Sequence, residues 1–386
     1  MRFRLVFPLT SLALALTPPA DACTRILYHN AVSTDTHETV QNKAGFFTAR
    51  SMDWYIDTQT DLWIFPKGMQ RTGGDIPNAI KWESKYGSVI ASAFHGATAD
   101  GINEKGLVAN FLYLNEADYG KPNGKPELAV TAWAQYVLDN YESVNEAVAA
   151  LEKKDANGKI FYEAPFHIAD AMVPLGDHKA TGHLSISDPS GDSAIFEYIQ
   201  GKLHIHHGSE YTVMTNSPTF DQQLAINRYW EQGDGWKMLP GTSRSADRFA
   251  RADFYLKNAQ AARDPDDASA AATTLSILRN TSAPLNIKNP DPNKPNEAST
   301  IWRTVADQKN LRYYFDSALS PNVFWIDLNK VNLSDTGVVK KLNLQPERIE
   351  VDGHEQEIKQ VYAGEVSAQF KSKKKPFHWI VSKNES

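Results

Sequence analysis

At 386 residues, with 41% apolar and 11% aromatic side chains, the chain is long enough for one large domain or two ordinary ones around a sizeable core. A formal charge of −6 excludes a nucleic-acid surface resting on excess positive charge. A single cysteine excludes an intramolecular disulfide framework.

The chain opens with the three-part plan of a secretory signal. Arg2 and Arg4 give a basic start, Leu5 to Leu16 is apolar, and small Ala20 and Ala22 precede Cys23. The apolar run is shorter than the ~20 residues that span a bilayer. Residues 1–22 are therefore expected to be removed on export, to the periplasm or beyond. A lipoprotein signal, lipidated at Cys23, is the competing reading; Asp21 fits it poorly. No later segment reads as a membrane span. Cleavage after Ala22 makes the only cysteine the first residue, with a nucleophilic thiol and a basic α-amine on one residue. The alternative for such a thiol is a small buried hydrophobe.

Residues 23–31 (CTRILYHNA) predict a strand followed by a polar loop, and Phe46 to Arg50 (FFTAR) the strand that returns beside it. Antiparallel pairing would bring Arg50 and Asp53 close to Cys23, as a cation favouring the thiolate and a carboxylate holding the amine. An ordinary Arg–Asp pair at a strand end fits the same spacing. Trp63 to Pro66, SVIASAF at 88–94 and the run from Leu107 to Leu114 predict further strands. Trp54, Trp63 and Trp82 read as core, with Trp54 or Trp82 able to wall an apolar pocket.

Pro126 reads as the early-turn residue of a helix running through Leu128–Leu138. Ser143 and Glu146 form a capping box for a second helix. Residues 183–207 predict two successive hairpins, 220–262 helix broken near 240–242, 289–296 a surface loop, and 302–327 strands. Asn216, before Ser-Pro, is either a turn residue or an oxyanion donor. His204, His206 and His207 resemble a metal cluster, but no Cys partner and no H-E-x-x-H accompanies them. They read as strand surface, and neither metal nor cofactor is expected. Strands early, middle and late with helices between give an α+β class, and two sheets between helix layers satisfy it. No linker divides residues 23–386.

Several motifs then fall in one order. They are Cys23-Thr24; Arg50-Ser51-Met52-Asp53; Asn103-Glu104-Lys105-Gly106-Leu107; Asp188 to Glu197 (DPSGDSAIFE); Asn216-Ser217-Pro218-Thr219-Phe220; and Leu239-Pro240-Gly241 followed by Arg248-Phe249. In these the chain resembles the choloylglycine hydrolase family of N-terminal nucleophile hydrolases, which holds penicillin V acylases and bile salt hydrolases. The resemblance implies a four-layer αββα sandwich and an acyl-amide substrate. It makes Cys23 nucleophile and base, places Asp53 on the amine and Arg50 beside the thiol, gives Asn216 and the Tyr113 N–H to the oxyanion, and adds Arg248 to the polar cluster. It also implies a homotetramer. Tyr113 stands where bile salt hydrolases usually carry Asn, which looks more like the penicillin V acylases. The export signal and tryptophan content look like the Gram-negative branch, associated with penicillin V and long-chain acyl-homoserine lactones. A lipid-anchored envelope binding protein is the reading from a different class.

Overall fold

The computed structural model describes residues 22–30, 45–174, 179–259, 266–285, 298–351 and 354–382. Most of the expected signal (1–21) and the expected loop at 289–296 lie outside them.

Among the described residues, two sheets form the centre, antiparallel except where Val323–Asp327 runs parallel to Gly364–Glu365. Strand β1 (Ala22–Asn30) pairs with β2 (Gly45–Trp54) over its whole length, with Cys23 opposite Met52 and Arg25 opposite Arg50. They sit in a seven-stranded sheet ordered Val213–Met214, β1, β2, Ser299–Asp307, Arg312–Ser317, Val323–Asp327, Gly364–Glu365. The second sheet has eleven strands. Its centre runs through Lys202–His207, Ser193–Ile199, Gly182–Ser187, Val108–Tyr113, Ala97–Asn103, Ser88–Ala93 and β3 (Leu62–Phe65). The predicted strands and both predicted hairpins are all present.

Helices cover the outer faces. Among the described residues, α1 (Trp133–Asn140) lies on the eleven-stranded sheet, and α2 (Val144–Ala149) follows it. Ser143 caps α2 by accepting the Glu146 N–H, as the capping box predicts. Helix α3 (Phe220–Glu231) packs on α4 (Ser245–Ala259), and α4 and α5 (Asp267–Asn280) lie on β1 and β2. The result is the αββα order.

The two-residue alternation of β1 and β2 sorts their side chains between these layers. Arg25 reaches Ser193 Oγ at 3.1 Å and Thr48 pairs with Ser187 Oγ at 2.6 Å, so the residues in step with them face the other sheet. Thr24 faces the helices and meets Arg248 of α4. Ile26, Tyr28, Phe47 and Ala49 face the same way and are fully buried.

Two expectations are corrected. Residues 127–129 form a short strand paired in parallel with His167–Ala169, and Val130–Ala132 a 3-10 turn, so the helix begins only at Trp133. Backbone pairing to a distant strand outweighs the helical spacing. Phe94 does not extend the strand before it. With His95 it forms a tight turn, both at positive φ (51° and 55°).

Ile26→Ala should lose about 2–5 kcal/mol of unfolding free energy, the cost of a large-to-small change at a closed core site. Chemical denaturation checks this as a lowered midpoint at unchanged slope.

Candidate active site

Cys23 is 1% exposed, near the start of β1. Its thiol turns toward the second sheet, on the same side as Arg50 and Met52. Arg50 Nη2 lies 3.5 Å from Cys23 Sγ and 3.4 Å from Met52 Sδ, and donates to the Phe111 carbonyl at 3.2 Å. The guanidinium also sits 4.7 Å from the centre of the Trp302 ring. Competing effects act on the thiol. Burial pushes its pKa up and prevails; the Arg50 cation pulls it down; the Asp53 charge adds to the rise.

The other half of the cluster lies at the strand end and on the helix side. The nitrogen of Cys23 donates to Asn216 Oδ1 at 2.5 Å. Arg248, fully buried, donates to the same oxygen at 2.8 Å, to Thr24 Oγ1 and to the Cys23 carbonyl. Two donors converge on Oδ1, so the amide group of Asn216 is fixed with its nitrogen on the opposite side. That nitrogen donates to the Tyr113 carbonyl at 2.7 Å. An amide nitrogen carries two protons, and this bond uses one.

Asp53 stands opposite Ala22 in the ladder, fully buried. Thr300 donates to its Oδ1 at 2.7 Å, while Oδ2 has no hydrogen-bond donor in good geometry. Burial holds its carboxyl above the ordinary range, against the pull of Arg248, Thr300 and Ser51. Burial likewise lowers the Arg248 pKa, against the Asp53 charge.

The thiol opens into a cavity with an almost wholly apolar lining, which includes Met52, Trp54, Phe94, Phe111, Val173 and Ile380. Trp54 meets Phe94 and Tyr113 edge to face. The Phe94–His95 turn presents Phe94 to this space, held by a bond from its N–H to the Thr58 carbonyl at 2.6 Å. Ile380 comes from far along the chain. Its N–H donates to Gly96 O at 2.9 Å, and its carbonyl accepts from Thr131 at 2.8 Å.

Cys23, Arg50, Asp53, Tyr113, Asn216 and Arg248 are thus brought together, and Trp54 lines the cavity. Trp82 does not. Its indole N–H is taken by Asp139 at 2.8 Å and its ring packs on Tyr136, over the outer face of the eleven-stranded sheet. Trp63 is core, beside Phe65 and Phe377. Asn110 is held by Asp100 at 2.6 Å. Asn115 is exposed, so Tyr113 is the residue of that run at the site. Thr300 and Ser245, which donates to nothing nearer than Thr215 but accepts the Asn216 N–H at 2.9 Å, carried no sequence signal.

The model of the choloylglycine hydrolase family of linear amide C–N hydrolases matches residues 36–341. A penicillin V acylase from Pectobacterium atrosepticum is 48% identical over 369 residues, covering 91% of this chain and 90% of that protein. The solved structure of penicillin V acylase from Agrobacterium tumefaciens superposes with a TM-score of 0.76 at 46% identity, covering 93% of this chain and 100% of that one. A conjugated bile acid hydrolase from Clostridium perfringens shares the fold, with a TM-score of 0.65 at 23% identity over 83% of this chain and 96% of that one.

Arg50→Gln removes the cation beside the thiol and should slow iodoacetamide alkylation of Cys23 near neutral pH severalfold, because less of the thiol is ionised. In both proteins the rate should climb as pH rises through the elevated thiol range. A pH–rate profile for Arg50→Gln that overlays the parent's would remove Arg50 from thiol activation.

Proposed function

The chain belongs to the choloylglycine hydrolase family of linear amide C–N hydrolases, and from that membership we propose a penicillin V acylase-type enzyme whose nucleophile is Cys23, exposed as the first residue by removal of residues 1–22. Residues 23–386 form one catalytic domain, acting in the periplasm or outside the cell as a homotetramer. The observation that carries the reading is the placement of the thiol. The chain's only cysteine lies at an apolar cavity, 3.5 Å from a buried guanidinium, with its own nitrogen bonded to Asn216. A binding protein has no use for that convergence.

The catalytic steps follow from the donors present. The Cys23 thiolate attacks the amide carbonyl carbon, and the negative charge moves to the carbonyl oxygen. Asn216, through its second amide proton, and the Tyr113 N–H stabilise that oxyanion. The α-ammonium of Cys23 donates a proton to the leaving nitrogen, the C–N bond breaks, and the acyl group remains as a thioester. Water, deprotonated by the same amine, then hydrolyses the thioester and frees the thiol.

Asp53 Oδ2 supports the processed form. This buried oxygen has no donor in good geometry while Cys23 follows Ala22, and a free ammonium on Cys23 supplies one. The same ammonium adds a cation to the nucleophile's own residue and so opposes the rise that burial imposes on the thiol. Arg248 holds the Cys23 carbonyl and the Asn216 oxygen together. The cavity takes the acyl chain, with Trp54 on its wall. The relatives' names supply penicillin V as first substrate, and its phenoxyacetyl group suits an apolar, aromatic-edged space.

Primary-amine release from penicillin V by the processed protein should vanish in Cys23→Ala. Asn216→Ala should reduce kcat by roughly 10²–10³-fold, the cost of one oxyanion donor. Protein confirmed to begin at Cys23 that leaves penicillin V intact would discard this substrate, and acyl-homoserine lactones are next to be assayed.

A further inference from the structure

Glu197 closes one of the sequence motifs, and the chemistry above does not use it. It lies on Ser193–Ile199 and is 2% exposed; His183, on the neighbouring strand Gly182–Ser187, is 1% exposed. His183 Nδ1 lies 2.9 Å from Glu197 Oε1, and His183 Nε2 lies 2.8 Å from the carbonyl of Thr215. Both oxygens of Glu197 also accept the Phe220 N–H, each at 3.1 Å.

A carbonyl oxygen only accepts, so Nε2 carries a proton. Burial works to raise the Glu197 pKa, but the bond to His183 and the Phe220 N–H outweigh that and hold it below the ordinary range. Nδ1 and Oε1 face each other at 2.9 Å, so a proton lies between them, and the ring bridges the Glu197 carboxyl group and the Thr215 carbonyl.

The segment so gripped is Thr215–Phe220, which carries Asn216. The carbonyl of Thr215 and the N–H of Asn216 belong to one rigid peptide plane. His183 holds the oxygen end, and Ser245 Oγ accepts from the nitrogen end at 2.9 Å. Glu197 holds the far end of the segment at Phe220. We propose that the His183–Glu197 pair is a positioning device for the oxyanion donor, clamping the Thr215–Phe220 segment from the opposite sheet so that Asn216 keeps its aim. Neither residue is in the cluster around the thiol, so both act through Asn216. This rests on the amidase reading of the site.

The test separates the two ring nitrogens. His183→Asn keeps a donor near the Nδ1 position and loses the grip on Thr215. His183→Gln places an amide donor near the Nε2 position. His183→Asn should lower kcat by about tenfold to a hundredfold, the range expected for a misplaced catalytic group, with KM within twofold of the parent. Cys23 should alkylate at the parent rate, and His183→Gln should recover much of the lost kcat. Parental kcat in His183→Asn, or alkylation falling in step with kcat, overturns the proposal. Should His183→Asn not fold, long-range ¹H–¹⁵N spectra of the parent decide: a protonated Nε2 at His183 supports the clamp, and a bare Nε2 overturns it. A parent that cleaves no acyl amide would sink the amidase reading, while the spectra still report on the His183–Thr215 bond.

Discussion

Everything at the site depends on the register between β1 and β2. Cys23 opposite Met52 places thiol, thioether and the Arg50 guanidinium on the face toward the second sheet. The same register puts Asp53 opposite Ala22, one residue before the nucleophile. A slip of β1 by one residue would turn the thiol toward α4 and α5 while Arg50 stayed on the face toward the second sheet, so thiol and guanidinium would part. Nine ladder partners and a second antiparallel neighbour, Ser299–Asp307, hold that register. The sandwich thus supplies strand order and face, and the chemistry inherits both.

The second constraint is the burial of charge. Arg25, Arg50 and Arg248 are among the largest fully buried side chains of the molecule. Each is held largely by neutral oxygens or by a ring: Arg25 by the Tyr211 carbonyl and Ser193, Arg248 by Cys23, Ser243 and Asn216, Arg50 by Phe111 and Trp302. Buried ions cost several kcal/mol each in desolvation, so this is not an arrangement that stability alone favours. Asp100 lies nearby, bonded to Asn110, Thr304 and Tyr313, and its carboxylate is part of the field around Arg50. The space between the sheets is therefore partly a polar network that orders the guanidinium beside the thiol.

Much of this was legible in the sequence where local pattern and tertiary role agree. The β1–β2 pair, the hairpins of 183–207 and the Ser143 cap follow from alternation and turn chemistry that the structure keeps. Cys23, Arg50, Asp53, Asn216 and Arg248 were readable because motifs mark them. Other features were not, for physical reasons. Residues 127–129 sit where helical spacing begins, but backbone groups of 167–169 compete for their hydrogen bonds and win. Helix α5 is hard to read from sequence because its Ala- and Thr-rich composition gives weak apolar periodicity. Trp82 looks like any pocket tryptophan until Asp139 is seen to hold its N–H. The sequence points to Asn216 for its nitrogen alone. Its oxygen, which receives Cys23 and Arg248, depends on contacts 193 and 32 residues away in sequence.

One wall of the cavity has a temporal meaning. Ile380 reaches the pocket only because residues around it cross back to Gly96 and Thr131. Ribosomes make proteins from the N-terminal end, so the nucleophile and its whole retinue of polar partners exist before this residue does. A chain halted shortly before it could assemble both sheets and still lack a boundary for an apolar guest. The pocket, unlike the pairing of β1 with β2, is therefore bounded in part by a late residue with no part in the chemistry.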